Sequence, residues 1–362
     1  MRIVHVTDSF APRVGGIERQ VEALANRQRA EGHDVAVITA VSDVADVDVP
    51  VARAQGPRWV TAAFPWRHSH LIEATLDGAD IVHAHFTIVS PVPEYAARVA
   101  TRRGIPVAIT VHSLWWQVRS ATRVSNWPFG IGHARAAWSA VSSVAADHVR
   151  RTLPRLDQVS VVPNLVDTDW WRPVEPLRVT GDGGLRIALV GRLVKRKHVR
   201  EFLTSLAVAR TRIGDAPVHV RIVGDGARRA DLAHQVDESG LGDWVELLGH
   251  RPAPAIRELL HDSDLFVATS RQESFGIAAL EARAAGLPIL GFRGNGLADF
   301  VADGTEGILV ADDDAMADAL TALLRDPEEL TRLRKNTTTF PPSIGIGESM
   351  DAVQALYRRA AR

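Results

Sequence analysis

Two clusters of charged residues lie where they could do chemistry. In "VGRLVKRKHV", Arg192, Lys195, Arg196 and Lys197 follow a β-rich run. Cations at the carboxyl end of a strand suit a pyrophosphate, with arginine giving forked contacts and lysine a point charge. A solvated basic turn is the alternative. In "RQESFGIAALEARAAGLP", Glu273 precedes a short helix read from Phe275 to Ala285, closed by Gly286 and Pro288. Glu281 shares a stripe with Ile277 and Ala284, whereas Arg283 points elsewhere. A carboxylate on an apolar stripe is costly unless something binds it. Either Glu281 pairs with a cation from the sheet or it faces a site. One ligand could use both glutamates if it carried sugar hydroxyls near Glu273, ribose hydroxyls near Glu281, and phosphate on the amides of Ser274 to Gly276. That ligand is a sugar nucleotide.

Other motifs are weaker. Gly15 and Gly16 precede a helix whose first amides could bind an anion; an ordinary left-handed turn is the plain reading. "IVGDGARRADL" carries Gly224 and Gly226, but Arg229 occupies the third glycine position of a dinucleotide loop, so a dehydrogenase is disfavoured. His83 and His85 end one strand and read as hydrogen-bonded rather than metal-ligating. His112 ends another and is the better candidate for a substrate hydroxyl. Aspartates spaced as DxD (46/48, 167/169, 262/264, 312/314) read as caps and turns, so no divalent metal is expected in the chemistry.

The elements that must position these residues form two series of alternating strands and helices. Strands are predicted over 3–6, 35–39, 81–84, 107–111 and 159–162, then over 187–190, 218–223, 245–247, 265–268, 288–291 and 307–310. Helices are predicted over 17–31 and 93–103 in the first half. The proline- and glycine-rich run 173–184 reads as a linker between a first domain of 1–172 and a second of 185–340. A terminal helix within 341–362 is expected to pack back toward the first domain. The fold class is α/β: two Rossmann-like, doubly wound domains facing across a cleft.

Bulk properties agree. A chain of 362 residues suits two domains of about 150. Net charge of −1 disfavours a nucleic-acid binder, and the lack of cysteine removes disulfides and thiolate chemistry. No apolar run reaches the roughly 18 residues that would span a bilayer, and the amino-terminal run alternates like a strand, so the expectation is cytoplasmic. "PRWVTAAFPWRHSH" could rest on the inner face of an anionic membrane, or pack as a loop on the first sheet. Six of nine tryptophans fall between 115 and 171 and could stack on an acceptor sugar or serve as core.

"ESFGIAALEARAAGLP" also resembles the two-glutamate motif of the retaining GT-B glycosyltransferases of family 4. The likeness continues in order through Gly15 and Gly16, "VHAH" at 82–85, His112, "VPNLVD" at 162–167, "GRL" with Lys197, "VGDG" at 223–226 and "DG" with Gly307. It implies that Arg192 and Lys197 neutralise a donor diphosphate, with Glu273 on the donor sugar and Glu281 on the ribose. Phosphate or sugar would lie on the amides of Phe275, Gly276 and Ile277, His112 near the sugar and Gly16 near the phosphate. Gly15, Gly224, Arg251 and Ser274 join the donor-binding set. The implied reaction is retaining and needs neither metal nor protein nucleophile: a hexose moves from a UDP- or GDP-linked donor to a hydroxyl acceptor such as a glycan, glycolipid or small metabolite. His198 stands where glycine is usual, Leu165 replaces the glycine of "PNGVD", and Ala298 with Asp299 replace Pro-Glu. A sugar-nucleotide epimerase of the same shape is the alternative, and a non-catalytic nucleotide-binding module a third reading.

Overall fold

A computed structural model describes residues 1–13, 15–115, 136–156, 158–174, 184–214 and 216–362, with the side chains of 58 and 59 excepted. The chain forms two compact units, Met1–Leu165 with Gly347–Arg362, and Val166–Ile346. Each is built on one parallel sheet.

In the first unit the strands are β1 (Arg2–Thr7), β2 (Asp34–Thr39), β3 (Val51–Arg53), β4 (Ile81–Phe86), β5 (Val107–Val111), β6 (Ala137–Ala140) and β7 (Val159–Val161), in spatial order β3-β2-β1-β4-β5-β6-β7. β1, β4 and β5 are almost wholly buried, as strands covered on both faces must be. Two strands escape the sequence pattern. β3 is only three residues long, and β6 reads Ala-Trp-Ser-Ala, which has neither β-branched residues nor alternation.

The second unit holds β8 (Leu185–Val190), β9 (Val218–Val223), β10 (Val245–Gly249), β11 (Leu265–Ala268), β12 (Ile289–Phe292) and β13 (Gly307–Val310), ordered β10-β9-β8-β11-β12-β13. Its core joins Ile187, Leu189, Val220 and Ile222 of the sheet to Phe202, Leu203 and Leu206 of the helix Val199–Ile213. In both sheets the strand order reverses beside the first strand, at β1/β4 and at β8/β11. Loops leaving the carboxyl ends of such a strand pair diverge and leave room for a ligand.

The division falls between Leu165 and Val166, so the short helix Thr168–Trp171, expected in the first domain, groups with the second. The reason is local: Trp171 is buried, its carbonyl accepts from His261 Nε2 at 2.8 Å, and the Arg257 guanidinium lies 5.1 Å from the Trp170 ring centre. Most of the linker expected at 173–184 lies outside the described residues. The closing helix Ile346–Ala360 groups with the first unit, where Tyr357 and Arg359 reach residues of the sheet and of the first helix.

Candidate functional site

The loops after β8 and β11, which flank the reversal in the second sheet, carry Lys197 and Glu273. Lys197 Nζ donates to Glu273 Oε2 at 2.5 Å, with 28% and 19% of the two side chains exposed. A second link joins the same loops, since the Thr269 hydroxyl donates to the Lys197 carbonyl. Arg192 lies on the β8 loop, exposed, with no hydrogen bond or ion pair from its side chain to any described residue. Lysine and glutamate thus neutralise each other, while Arg192 keeps its charge available.

The β8 loop takes its shape from backbone packing. Leu193 N donates to Asp225 O at 2.8 Å and Gly191 N to Val223 O at 2.9 Å. Gly224 has φ of +143°, and a β-carbon there would lie 1.8 Å from Gly191 O. The glycines of "VGDG" therefore admit the neighbouring loop, where the sequence suggested approach of a ligand. Gly224→Ala combines a left-handed strain with a backbone clash, and should destabilise the second unit by roughly 2 kcal/mol or more. A denaturation midpoint equal to wild type would contradict this role. His198, where glycine is usual, has φ of +53°, the conformation that favours glycine.

The β11 loop is held by its neighbour too. Gly296 N donates to Glu273 O at 2.9 Å, and a β-carbon at Gly296 would lie 2.5 Å from Ser274 O. Asn295, fully buried, accepts from Leu297 N and donates to Ser270 O. Gly276 is left-handed at φ +99° and caps a helix running Ile277–Ala284, two residues shorter at its start than the sequence suggested. Among the described residues, the amides of Phe275, Gly276 and Ile277 donate to no backbone carbonyl in a turn or loop. Ser274 is half-buried and Phe275 buried.

Helix facing differs from expectation. Glu281 is half-buried, and the ion on the inner face is Arg283, 1% exposed. Arg283 pairs with Glu306 at 2.5 Å and donates to the carbonyls of Thr337, at 2.8 Å, and Phe340. Helical spacing placed a charge on the inward stripe but assigned the wrong residue, because the cation's partners come from segments distant in sequence. Arg251, after β10, is exposed, and its side chain makes no hydrogen bond or ion pair with a described residue.

Five of the DxD aspartates, Asp167, Asp169, Asp262, Asp264 and Asp312, are engaged within the protein. Asp167 and Asp312 cap helices, accepting from Trp170 N and Ala315 N. Asp262 receives Arg186 and Arg221, and Asp264 receives Arg334 at 2.7 Å, so this pair forms ion pairs rather than turns.

In the first unit, Gly15 is extended at φ −174°, not left-handed, and precedes the helix Gly16–Ala30. A β-carbon at Gly15 would lie 2.3 Å from Glu18 Oε2, and Glu18 accepts from the Ser9 hydroxyl at 2.6 Å. The expected anion position at Gly15 and Gly16 therefore has a carboxylate of the protein beside it. His112, just past β5, is half-buried; its Nε2 lies 3.0 Å from His85 Nδ1, and burial lowers its pKa to about 3. His5, His83 and His85 are fully buried on one sheet face and are likewise held neutral by burial. They have the spacing of a metal cluster, but their nitrogens already bond to one another, to His112, Gln28, Tyr357 and Thr110. His5, Gln28 and Tyr357 were absent from the sequence reading; a histidine in a buried strand was the available signal.

Of the six tryptophans between 115 and 171, Trp115, Trp138 and Trp171 are buried and Trp170 is 37% exposed, whereas 116 and 127 lie outside the described residues. The run expected as a loop forms a helix, Arg58–Ala63, then a 3-10 turn, with Phe64 and Trp66 exposed edge-to-face. No described helix is long and apolar enough to cross a membrane.

Comparison with known proteins places this geometry. Residues 14–170 match the family model described as glycosyltransferase family 4, and residues 180–340 that described as glycosyl transferases group 1. Glycogen synthase of Mycobacterium tuberculosis is 28% identical over 377 residues, covering 92% of this chain and 88% of that protein. D-inositol 3-phosphate glycosyltransferase 1 of Catenulispora acidiphila is 29% identical over 307 residues, covering 78% and 72%. Among solved structures, Anabaena HepE in complex with UDP-glucose aligns with a TM-score of 0.73 at 18% identity, over 100% of this chain and 98% of that one. Sucrose-phosphate synthase of Thermosynechococcus elongatus aligns at 0.74 and 21% identity, over 99% and 96%. With the two paired models matched in order along a GT-B fold, the chain belongs to the group 1, family 4 glycosyltransferases, enzymes that transfer a sugar from a nucleotide sugar.

Proposed function

We propose that the protein moves a hexose, with retention of configuration and without a metal, from a UDP- or GDP-linked donor to a hydroxyl acceptor. The observation that carries this reading is the meeting of Lys197 and Glu273 at the strand-order reversal, with Arg192 exposed on the same loop. The donor diphosphate lies against Arg192, Lys197 and the amides of Phe275 to Ile277. Glu273 and Ser274 hold the sugar and Glu281 the ribose, with Arg251 beside the donor. Glycogen synthase as a relative and HepE with UDP-glucose as a fold neighbour favour a uridine or related donor and a glucose-like hexose.

In the reaction the bond from the anomeric carbon to the phosphate oxygen breaks, and the acceptor oxygen bonds to that carbon on the same face. The acceptor proton passes to the leaving phosphate. Arg192 and Lys197 stabilise the charge that grows there, a metal's usual work. His112 accepts a hydrogen bond from a substrate hydroxyl.

The test is nucleotide release from UDP- and GDP-hexoses with and without an acceptor extract, with the product anomer assigned by NMR. Release that requires acceptor, an axial or equatorial linkage matching the donor's, and full activity in a chelator are expected. Interconversion of free donor sugars without acceptor would instead indicate an epimerase, which no observation among the described residues favours. A strict Mn²⁺ requirement would overturn the metal-free mechanism. A peripheral contact with anionic membrane is the reading for Phe64, Trp66 and Arg67; failure to sediment with anionic vesicles would remove it.

A further inference from the structure

Eight polar side chains of the first unit form one continuous chain that ends at His112. From Gln28 one arm runs outward: Oε1 lies 2.7 Å from His5 Nε2, His5 Nδ1 lies 2.9 Å from His85 Nε2, and His85 Nδ1 lies 3.0 Å from His112 Nε2. The other arm runs inward: Gln28 Nε2 donates to the Tyr357 hydroxyl at 3.0 Å, which lies 3.0 Å from His83 Nδ1. His83 Nε2 lies 2.7 Å from Thr110 Oγ1, Thr110 Oγ1 lies 2.8 Å from Ser139 Oγ, and Ser139 donates to the Ile109 carbonyl at 2.9 Å.

A carbonyl can only accept, so the Ser139 proton is committed to Ile109 O. Thr110 must then donate to Ser139, His83 Nε2–H to Thr110, and Tyr357 to His83 Nδ1. Tyr357 therefore accepts from the Gln28 amide nitrogen, which turns Oε1 toward His5. His5 carries its proton on Nε2, His85 on Nε2, and His112 on Nε2. The reversed order would turn the Ser139 hydroxyl from the Ile109 carbonyl to Thr110 and so give up the bond to that carbonyl. We propose that this chain, from the Ile109 carbonyl to His85, is a positioning device that holds the His112 proton on Nε2 and leaves Nδ1 a bare acceptor. Nδ1 makes no hydrogen bond to a described residue.

The consequence is selectivity for a hydrogen-bond donor. A ligand hydroxyl is received at Nδ1, whereas a fluorine or ether oxygen at the same place meets a lone pair. This consequence rests on His112 touching substrate, as proposed above; the proton order does not. Ser139, Thr110, His83, Tyr357, Gln28, His5 and His85 act through His112.

The test uses the full chain labelled with ¹⁵N-histidine, with the His112 signals assigned by their loss in His112→Gln. Long-range proton–nitrogen spectra at neutral pH should show His112 protonated on Nε2 alone. Ser139→Ala removes the commitment to Ile109 O, and Tyr357→Phe frees the Gln28 amide to turn, so each should give a mixed tautomer at His112. A purely structural network would lose stability in these variants with the tautomer unchanged. Nδ1–H in the wild type, or the wild-type pattern retained in both variants, would overturn the proposal; if Tyr357→Phe does not fold, Ser139→Ala decides. Preference for a donor over its deoxyfluoro analogues should fall with the Nε2–H fraction, about twofold at an even mixture and about tenfold, the worth of roughly one hydrogen bond, on complete inversion. An altered tautomer with unaltered preference would uphold the chain and overturn the substrate contact of His112.

Discussion

Arg192→Ala slows turnover about 10²- to 10³-fold, since preorganised cations aimed at developing charge typically contribute roughly 3 to 4 kcal/mol to a transition state. Only interactions that strengthen as the sugar-phosphate bond breaks raise kcat, and the leaving diphosphate gains charge at that step. Arg192 is exposed and without a partner among the described residues, so its removal disturbs little else. Lys197→Ala is expected to be equally slow but to raise the donor KM as well. Its loss leaves Glu273, 19% exposed, with an uncompensated negative charge facing the diphosphate. In Lys197→Ala/Glu273→Ala that repulsion is gone, so KM should recover partly while kcat stays low. Steady-state kinetics on the four variants, with Glu273→Ala as the fourth, read the difference. Near wild-type kcat in Arg192→Ala and Lys197→Ala would reduce the pair to a binding clamp and pass the leaving-group role to the amides of Phe275 to Ile277.

Acid should weaken the first unit as pH falls below 6.5, with Glu94, whose carboxyl burial raises to about 7, offsetting part of the loss. His5, His83 and His85 are at most 1% exposed, and burial holds each below the ordinary value of 6.5, His5 at about 4. The unfolded chain therefore takes up these protons first. Stability from the neutral network is complete above pH 6.5 and is lost as pH falls from there toward the folded-state values. Each excluded proton weakens folding by about 1.4 kcal/mol per pH unit, so three such histidines cost on the order of several kcal/mol by pH 5. Urea unfolding at pH 7.5, 6 and 5, with hydrogen exchange of β1 and β4 amides, measures the slope. Equal protection of those amides at pH 7.5 and 5 would show that the histidines are not held neutral.

Helix and strand placement was largely legible in the chain, because buried parallel strands such as Ile3–Val6 and Val218–Val223 are dense in branched apolar residues and the turns between them carry glycine. Every strand of the second sheet is foreshadowed in this way. The candidate site was legible as residue types at loop positions: a cation cluster after β8, a carboxylate after β11. What local sequence could not supply was pairing across long separations. Lys197 meets Glu273 over 76 residues, Gln28 meets Tyr357 over 329, and Arg283 meets Glu306 from another loop.

The sequence by itself determined the period of each element, the charge carried by each loop, and therefore the chemistry the protein can offer. Only the tertiary structure decided which charges are spent on one another, which glycines admit backbone rather than ligand, and which way a buried proton chain points. Side-chain periodicity reports a face, but hydrogen bonds and ion pairs act over a few ångströms and so depend on which distant segments the strand order brings side by side.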